Sequence, residues 1–152
     1  MRDKITLIGD IGGTNARFAL TSTKNLSFYE YRKVKCADYI TLSDAIESYL
    51  KEINLDAIDN AFLAVAAPIF EEKIKVINSH WLVDRKELAR KLNIDSIHVI
   101  NDFESIAYAI EIINKSNYQA IGPLKQAHTK KFQYNIGIIG PGTGLGGAGL
   151  RK

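Results

Sequence analysis

Three short segments of this 152-residue chain carry residue types suited to holding or transferring an anionic group. The first is DIGGTNAR, Asp10 to Arg17, in which an acidic residue precedes two glycines and a threonine. The missing side chains of Gly12 and Gly13 let phosphate oxygens approach backbone N–H groups, and the Thr14 hydroxyl adds a donor. Asp10 suits a Mg²⁺ held through water, because magnesium keeps several waters and uses few carboxylates. Gly-Gly and an Asp near Gly are also ordinary hairpin-turn residues, so a plain turn and a phosphate cradle both stand at this point.

The second segment is Asn101-Asp102, closing the apolar run SIHVIN. The C-terminal end of a strand is where an open α/β sheet presents ligand-binding residues. A carboxylate there can accept the proton of an attacking hydroxyl, as phosphoryl transfer to an alcohol requires. Asp is equally a favoured helix N-cap, and one residue can serve both ends. The third segment, GPGTGLGG, contains GTGLGG (Gly142 to Gly147), a formal match to the dinucleotide-binding spacing. That fingerprint needs a following helix and an acidic residue about 20 positions on. The chain ends at Lys152, so a second glycine-rich phosphate hairpin or a purely structural turn fits better.

Composition bounds the reading. With 46% hydrophobic and 24% charged residues the chain can bury a core, and no run approaches the roughly 20 apolar residues that span a bilayer. Cytoplasmic residence and no membrane partner are therefore expected, the first residues being too short an apolar run for a signal peptide. The net charge is +3, and all 17 acidic residues lie at or before Glu111. The basic tail lacks a dense Lys/Arg run interleaved with aromatics, so nucleic acid is not expected, and a field favouring an anionic ligand is. Cys36 has no disulfide partner and is read as inert; His80, His98 and His128 show no metal spacing.

The elements that must position these segments follow from periodicity. Lys4 to Gly9 and Asn15 to Ser22 read as two strands of a hairpin, with Leu26 to Val34 as a third, antiparallel strand. Leu42, Ala45, Ile46, Tyr49, Leu50 and Ile53 form one stripe of an amphipathic helix. Asn60 to Pro68 reads as a central strand buried on both faces, and Lys73 to Ile77 as an edge strand. Asp84 with Glu87 opens a helix through Leu92, Ser96 to Asn101 is a strand, and DFESIAYAIEII (Asp102 to Ile113) is a helix. Asn114 to Lys131 reads as a loop, then Tyr134 to Gly140 as a strand leading through the glycine turn to Leu145 to Leu150. This order predicts an α/β, ribonuclease-H-like layer with a mixed sheet over residues 1–113, and a linker and the start of a truncated second domain over 114–152.

GDIGGTNARFAL, Ala66-Ala67-Pro68, Asn78-x-x-Trp81, INDFESIAYAI and GPGTGLG occur together in the order and spacing of bacterial-type glucokinases, of the actin, hexokinase and heat-shock chaperone ATPase superfamily. The resemblance runs from about Lys4 to Leu150. It implies ATP-dependent phosphorylation of glucose at the 6-hydroxyl, with ATP and Mg²⁺ as cofactors. Gly9, Asp10, Ile11, Gly12, Gly13 and Thr14 resemble the first phosphate loop, and Gly142, Thr143 and Gly144 the second. Asp102 resembles the catalytic base, with Asn101 and Asn78 as sugar ligands and Trp81 near the sugar cleft. The family's second domain carries further sugar and adenine groups, so the chain reads as an N-terminal half. A non-catalytic sugar- or nucleotide-binding remnant of the same fold is the alternative, and a two-metal nuclease has too few carboxylates. The last two strands are expected to form an apolar edge through which the chain self-associates, or else to be mobile, with the residues before about Asn114 ordered.

Overall fold

A computed structural model of the chain describes residues 3–22, 24, 27–113, 117–119, 121–122, 135–141 and 145–151. They fall into two compact units, Met1–Asp102 and Phe103–Lys152. In the first, a sheet is built from β1 (Ile5–Ile11), β2 (Asn15–Ser22), β3 (Tyr29–Lys35), β4 (Asn60–Val65) and β7 (Ser96–Asn101), in the order β3-β2-β1-β4-β7. β1, β2 and β3 pair antiparallel, whereas β4 lies parallel to β1 and β7 parallel to β4. Short links suffice for the antiparallel pairs, while a parallel partner requires a longer crossover. The helices α1 (Leu42–Glu52) and α2 (Arg85–Leu92) occupy those crossovers. The arrangement is the expected mixed sheet of a ribonuclease-H-like, actin-like ATPase fold.

The α1 stripe is buried as its spacing requires: Leu42, Ala45, Ile46, Tyr49 and Leu50 join Leu7, Ile11, Phe18, Leu63 and Val65 in one core. Each such aliphatic side chain removed from water contributes about 1.5–3 kcal/mol. Thr41 closes a capping box with Asp44 at the start of α1, accepting the Asp44 N–H at 3.2 Å while Asp44 accepts the Thr41 N–H at 2.9 Å. At α2, Asp84 accepts the Lys86 and Glu87 N–H groups, and the Glu87 amide above all holds the Asp84 carboxyl below its usual range.

Several boundaries differ from those read in the sequence. β3 begins at Tyr29 rather than Leu26, which lies outside the described residues, and β4 ends at Val65. β5 (Lys73–Lys75) is not isolated but pairs with β6 (Leu82–Asp84), a three-residue strand with too few positions to show a period. β4 is not buried on both faces either. Phe62 is 48% exposed and its ring stacks on the exposed His98 at 4.4 Å, because α1 and α2 share the opposite, core face with Leu63 and Val65.

The helix α3 (Asp102–Ala109) tightens into a 3-10 turn at Ile110–Ile112, so it is shorter than the run to Ile113. In the second unit β8 (Asn135–Pro141) and β9 (Leu145–Arg151) pair antiparallel as a hairpin. The Phe103 ring lies where Cβ atoms on Gly140 and Gly146 would sit, so a side chain at either position would require the ring to move. Among the described residues no helix is long and apolar enough to cross a membrane.

Candidate active site at the ends of the parallel strands

Ile11, Val65 and Asn101 are Cα partners across β1, β4 and β7, so the segments that follow these three parallel strands emerge along one sheet edge. Open α/β sheets bind ligands at this edge. Gly9, Asp10 and Ile11 lie within β1 itself; Ile11 is fully buried, and a Cβ on Gly9 would press on the Leu63 side chain. The loop proper is Gly12–Thr14. The Gly12 N–H donates to the Asn15 carbonyl at 3.0 Å, closing the bend, whereas the Gly13 and Thr14 amides take no partner among the described residues. Thr14 is exposed.

The Ala66-Ala67 turn ties the candidate groups together. The Ala66 N–H donates to the Ile11 carbonyl at 2.9 Å, and its carbonyl accepts from the Ile77 N–H at 3.0 Å. The Ala67 carbonyl accepts from Asn101 Nδ2 at 3.1 Å, and the same nitrogen donates to Asp102 Oδ1 at 2.8 Å. One turn therefore fixes the root of the glycine loop, the segment carrying Asn78 and the residue that orients Asp102. Asp102 is the first residue of α3.

Asp10 forms an ion pair with Arg17 at 2.6 Å, and both side chains are about half exposed at 51% and 43%. Cys36, read in the sequence as inert, braces the loop from below. Its N–H donates to the Thr14 carbonyl at 2.9 Å and its Sγ to the Gly12 carbonyl at 3.4 Å. Burial pushes the Cys36 thiol up, which keeps it a neutral donor. Nothing in the spacing of one cysteine marks this role.

Asn78 is exposed and sits at φ 57°, a left-handed conformation that Asn tolerates better than most residues. Trp81 is a core residue, 1% exposed, whose Nε1 donates to the Tyr39 carbonyl at 3.2 Å. Gly142, Thr143 and Gly144 lie outside the described residues, as does His128. Among the described residues no three His, Cys, Asp or Glu side chains cluster as a metal site, so a metal here would rest on few carboxylates and water.

A family model for glucokinase matches residues 7–152. The chain belongs to the glucokinase family. A glucokinase of Chromohalobacter salexigens is 38% identical over 146 residues, which are 95% of this chain and 44% of that protein. A solved glucokinase from an Antarctic psychrotroph superposes with a TM-score of 0.76 at 31% identity, over 98% of this chain and 47% of that one. Glucokinase from Balamuthia mandrillaris in complex with glucose superposes with a TM-score of 0.71 at 27% identity, over 97% and 44%. This glucokinase-family chain thus spans less than half the length of these relatives.

Proposed function

We propose that the protein to which this chain belongs phosphorylates glucose at its 6-hydroxyl with ATP, the described residues forming the phosphate and sugar-hydroxyl side of the site. The observation that carries the reading is the Ala66-Ala67 turn, bonded to Ile11, Ile77 and Asn101, which gathers the glycine loop and Asp102 at one edge of a kinase-family sheet. Asp102 accepts the 6-hydroxyl proton as that oxygen attacks the terminal phosphorus of ATP, whose bond to the bridging oxygen breaks so that ADP leaves. Asn101 holds the carboxylate through its amide and is the first sugar contact of this reading. Asn78 is the second sugar contact. The Gly13 and Thr14 amides and the Thr14 hydroxyl hold phosphate oxygens, with Gly142 to Gly144 as the second phosphate loop.

Asp10 fits a water-held Mg²⁺ through its exposed carboxylate, with Arg17 fixing one oxygen. A bound Mg²⁺ would neutralise phosphate charge. Residues 1–113 are the first domain of this reading and 114–152 the linker and opening strands of a second, whose closure would exclude water. Use of ATP implies a cytoplasmic location. A coupled assay of glucose-dependent ADP release, run on this chain and on any longer product of the same gene, tests the proposal. Turnover that disappears in Asp102→Asn supports it. Glucose binding with no turnover in either form would establish a regulatory, non-catalytic protein instead.

A further inference from the structure

Gly13 has a neighbour that a phosphate loop does not require. A Cβ built on it would lie 2.5 Å from the Ile77 carbonyl oxygen and 3.0 Å from both the Asn78 carbonyl oxygen and Asn78 Cβ. Two of these atoms are backbone, so no rotamer change relieves the clash. Gly12 differs, since a Cβ there meets only the Asn15 carbonyl oxygen, at 3.2 Å. The segment lying on Gly13 is also held from both ends. Ile77 N–H is bonded to the Ala66 carbonyl at 3.0 Å, and Val76 N–H to the carbonyl of the buried Trp81 at 3.2 Å. Asn78 follows Ile77 inside the turn that the Val76–Trp81 bond closes, where Ser79 N–H also donates to the Val76 carbonyl at 3.3 Å, and it stands exposed at φ 57°. A side chain at position 13 must push this tethered turn away from the loop, and the displacement falls on Asn78.

We propose that Gly13 is a positioning residue for the sugar side of the site: its bare Cα seats the Ile77-Asn78 backbone on the phosphate loop and thereby sets where Asn78 meets the hexose. This role is separate from any contact its amide makes with phosphate, and it makes the spacing between phosphate and sugar subsites a packing distance. It rests on the glucokinase reading given above.

The test is a double-mutant cycle read by glucose and Mg-ATP titrations of the chain. Asn78→Gly is a safe partner variant, because glycine adopts the left-handed conformation freely. Gly13→Ala should weaken glucose binding about tenfold, the equivalent of one lost hydrogen bond. In the Asn78→Gly background the same substitution should change glucose binding little, since the group it displaces is already gone. Gly12→Ala should weaken glucose binding less than Gly13→Ala does, its Cβ meeting one carbonyl oxygen at 3.2 Å rather than three atoms of Ile77 and Asn78 at 3.0 Å or less. Wild-type glucose affinity in Gly13→Ala, or equal losses in both backgrounds, would overturn the inference and leave the glucokinase reading intact. A wild-type protein, in the longest product of its gene, that takes Mg-ATP but no glucose would sink the sugar-site reading itself. Independently of any ligand, amide chemical shifts of Ile77 and Asn78 should move in Gly13→Ala and not in Gly12→Ala; shifts that stay put would disprove the packing.

Discussion

Asn101 and Asp102 are neighbours in the chain and also bonded side chain to side chain, Nδ2 to Oδ1 at 2.8 Å. Consecutive residues of a strand point to opposite faces, so this contact exists only because β7 ends at Asn101 and α3 begins at Asp102. The change of backbone direction swings the carboxylate beside the amide. Asn101's other amide hydrogen goes to Ala67, which anchors the pair to the turn after β4.

Asp102→Asn should preserve the fold, because an amide oxygen can still accept from Asn101, while removing the base. We expect turnover of an active form to fall roughly 100- to 10,000-fold, about 3 to 5 kcal/mol of barrier. Steady-state kinetics alongside a thermal melt checks it, and near-normal turnover would move the proton acceptor elsewhere.

Gly12→Val should weaken nucleotide binding much more than glucose binding. Gly12 is not among the positive-φ glycines, so the backbone strain its sequence context invites does not arise. The effect comes instead from a branched side chain standing in the approach to the Gly13 and Thr14 amides. Paired titrations with Mg-ATP and with glucose decide it, and equal weakening of both would indicate misfolding.

Thr41→Ala removes the hydroxyl half of the α1 capping box and should destabilise the chain by about 1 kcal/mol. Urea denaturation would show a lower midpoint at unchanged slope. No change would mean that Asp44 alone satisfies the first turn.

Burial, and secondarily Glu30, pushes the Tyr49 hydroxyl up to about 12. An unfolded tyrosine ionises near about 10, so the native state holds its proton more tightly. Stability from this group is fully present below about pH 10 and is lost as pH rises toward 12. Tyr49→Phe should flatten that alkaline decline, although it forfeits the bond from Tyr49 Oη to the Glu30 carbonyl at 2.9 Å. Urea midpoints across the alkaline range test the sign, and an identical decline in both proteins would refute it.

The β8–β9 hairpin exposes Ile139 at 73% and Leu145 at 77%. A two-stranded sheet of this kind offers unpaired edges to another chain. We expect concentration-dependent self-association by light scattering, reduced by Ile139→Lys. A strict monomer whose β8 amides exchange as slowly as those of β4 would contradict it.

Elements with a long internal period were legible from residue types alone. The α1 stripe reads directly, since six apolar positions at helical spacing leave no other way to bury one face. The hairpin of β1 and β2 is equally plain, bounded by glycines, and Asn101-Asp102 stands at a strand end where ligand groups are expected. Even the mixed topology follows from element order, because short links and helical crossovers permit few alternatives. What the chain alone did not disclose depends on partners distant in sequence. β6 has three residues and exists only against β5. Cys36 became a brace for the glycine loop only when β3 paired with β2 and brought it under Thr14. Gly12 and Gly13 are identical in type and adjacent in sequence, yet tertiary packing places the distant Ile77-Asn78 backbone on Gly13 while Gly12 meets only the Asn15 carbonyl of its own bend. Local sequence determines which backbone conformations are cheap; which atoms then meet across 60 or more residues is decided by the sheet that carries them together.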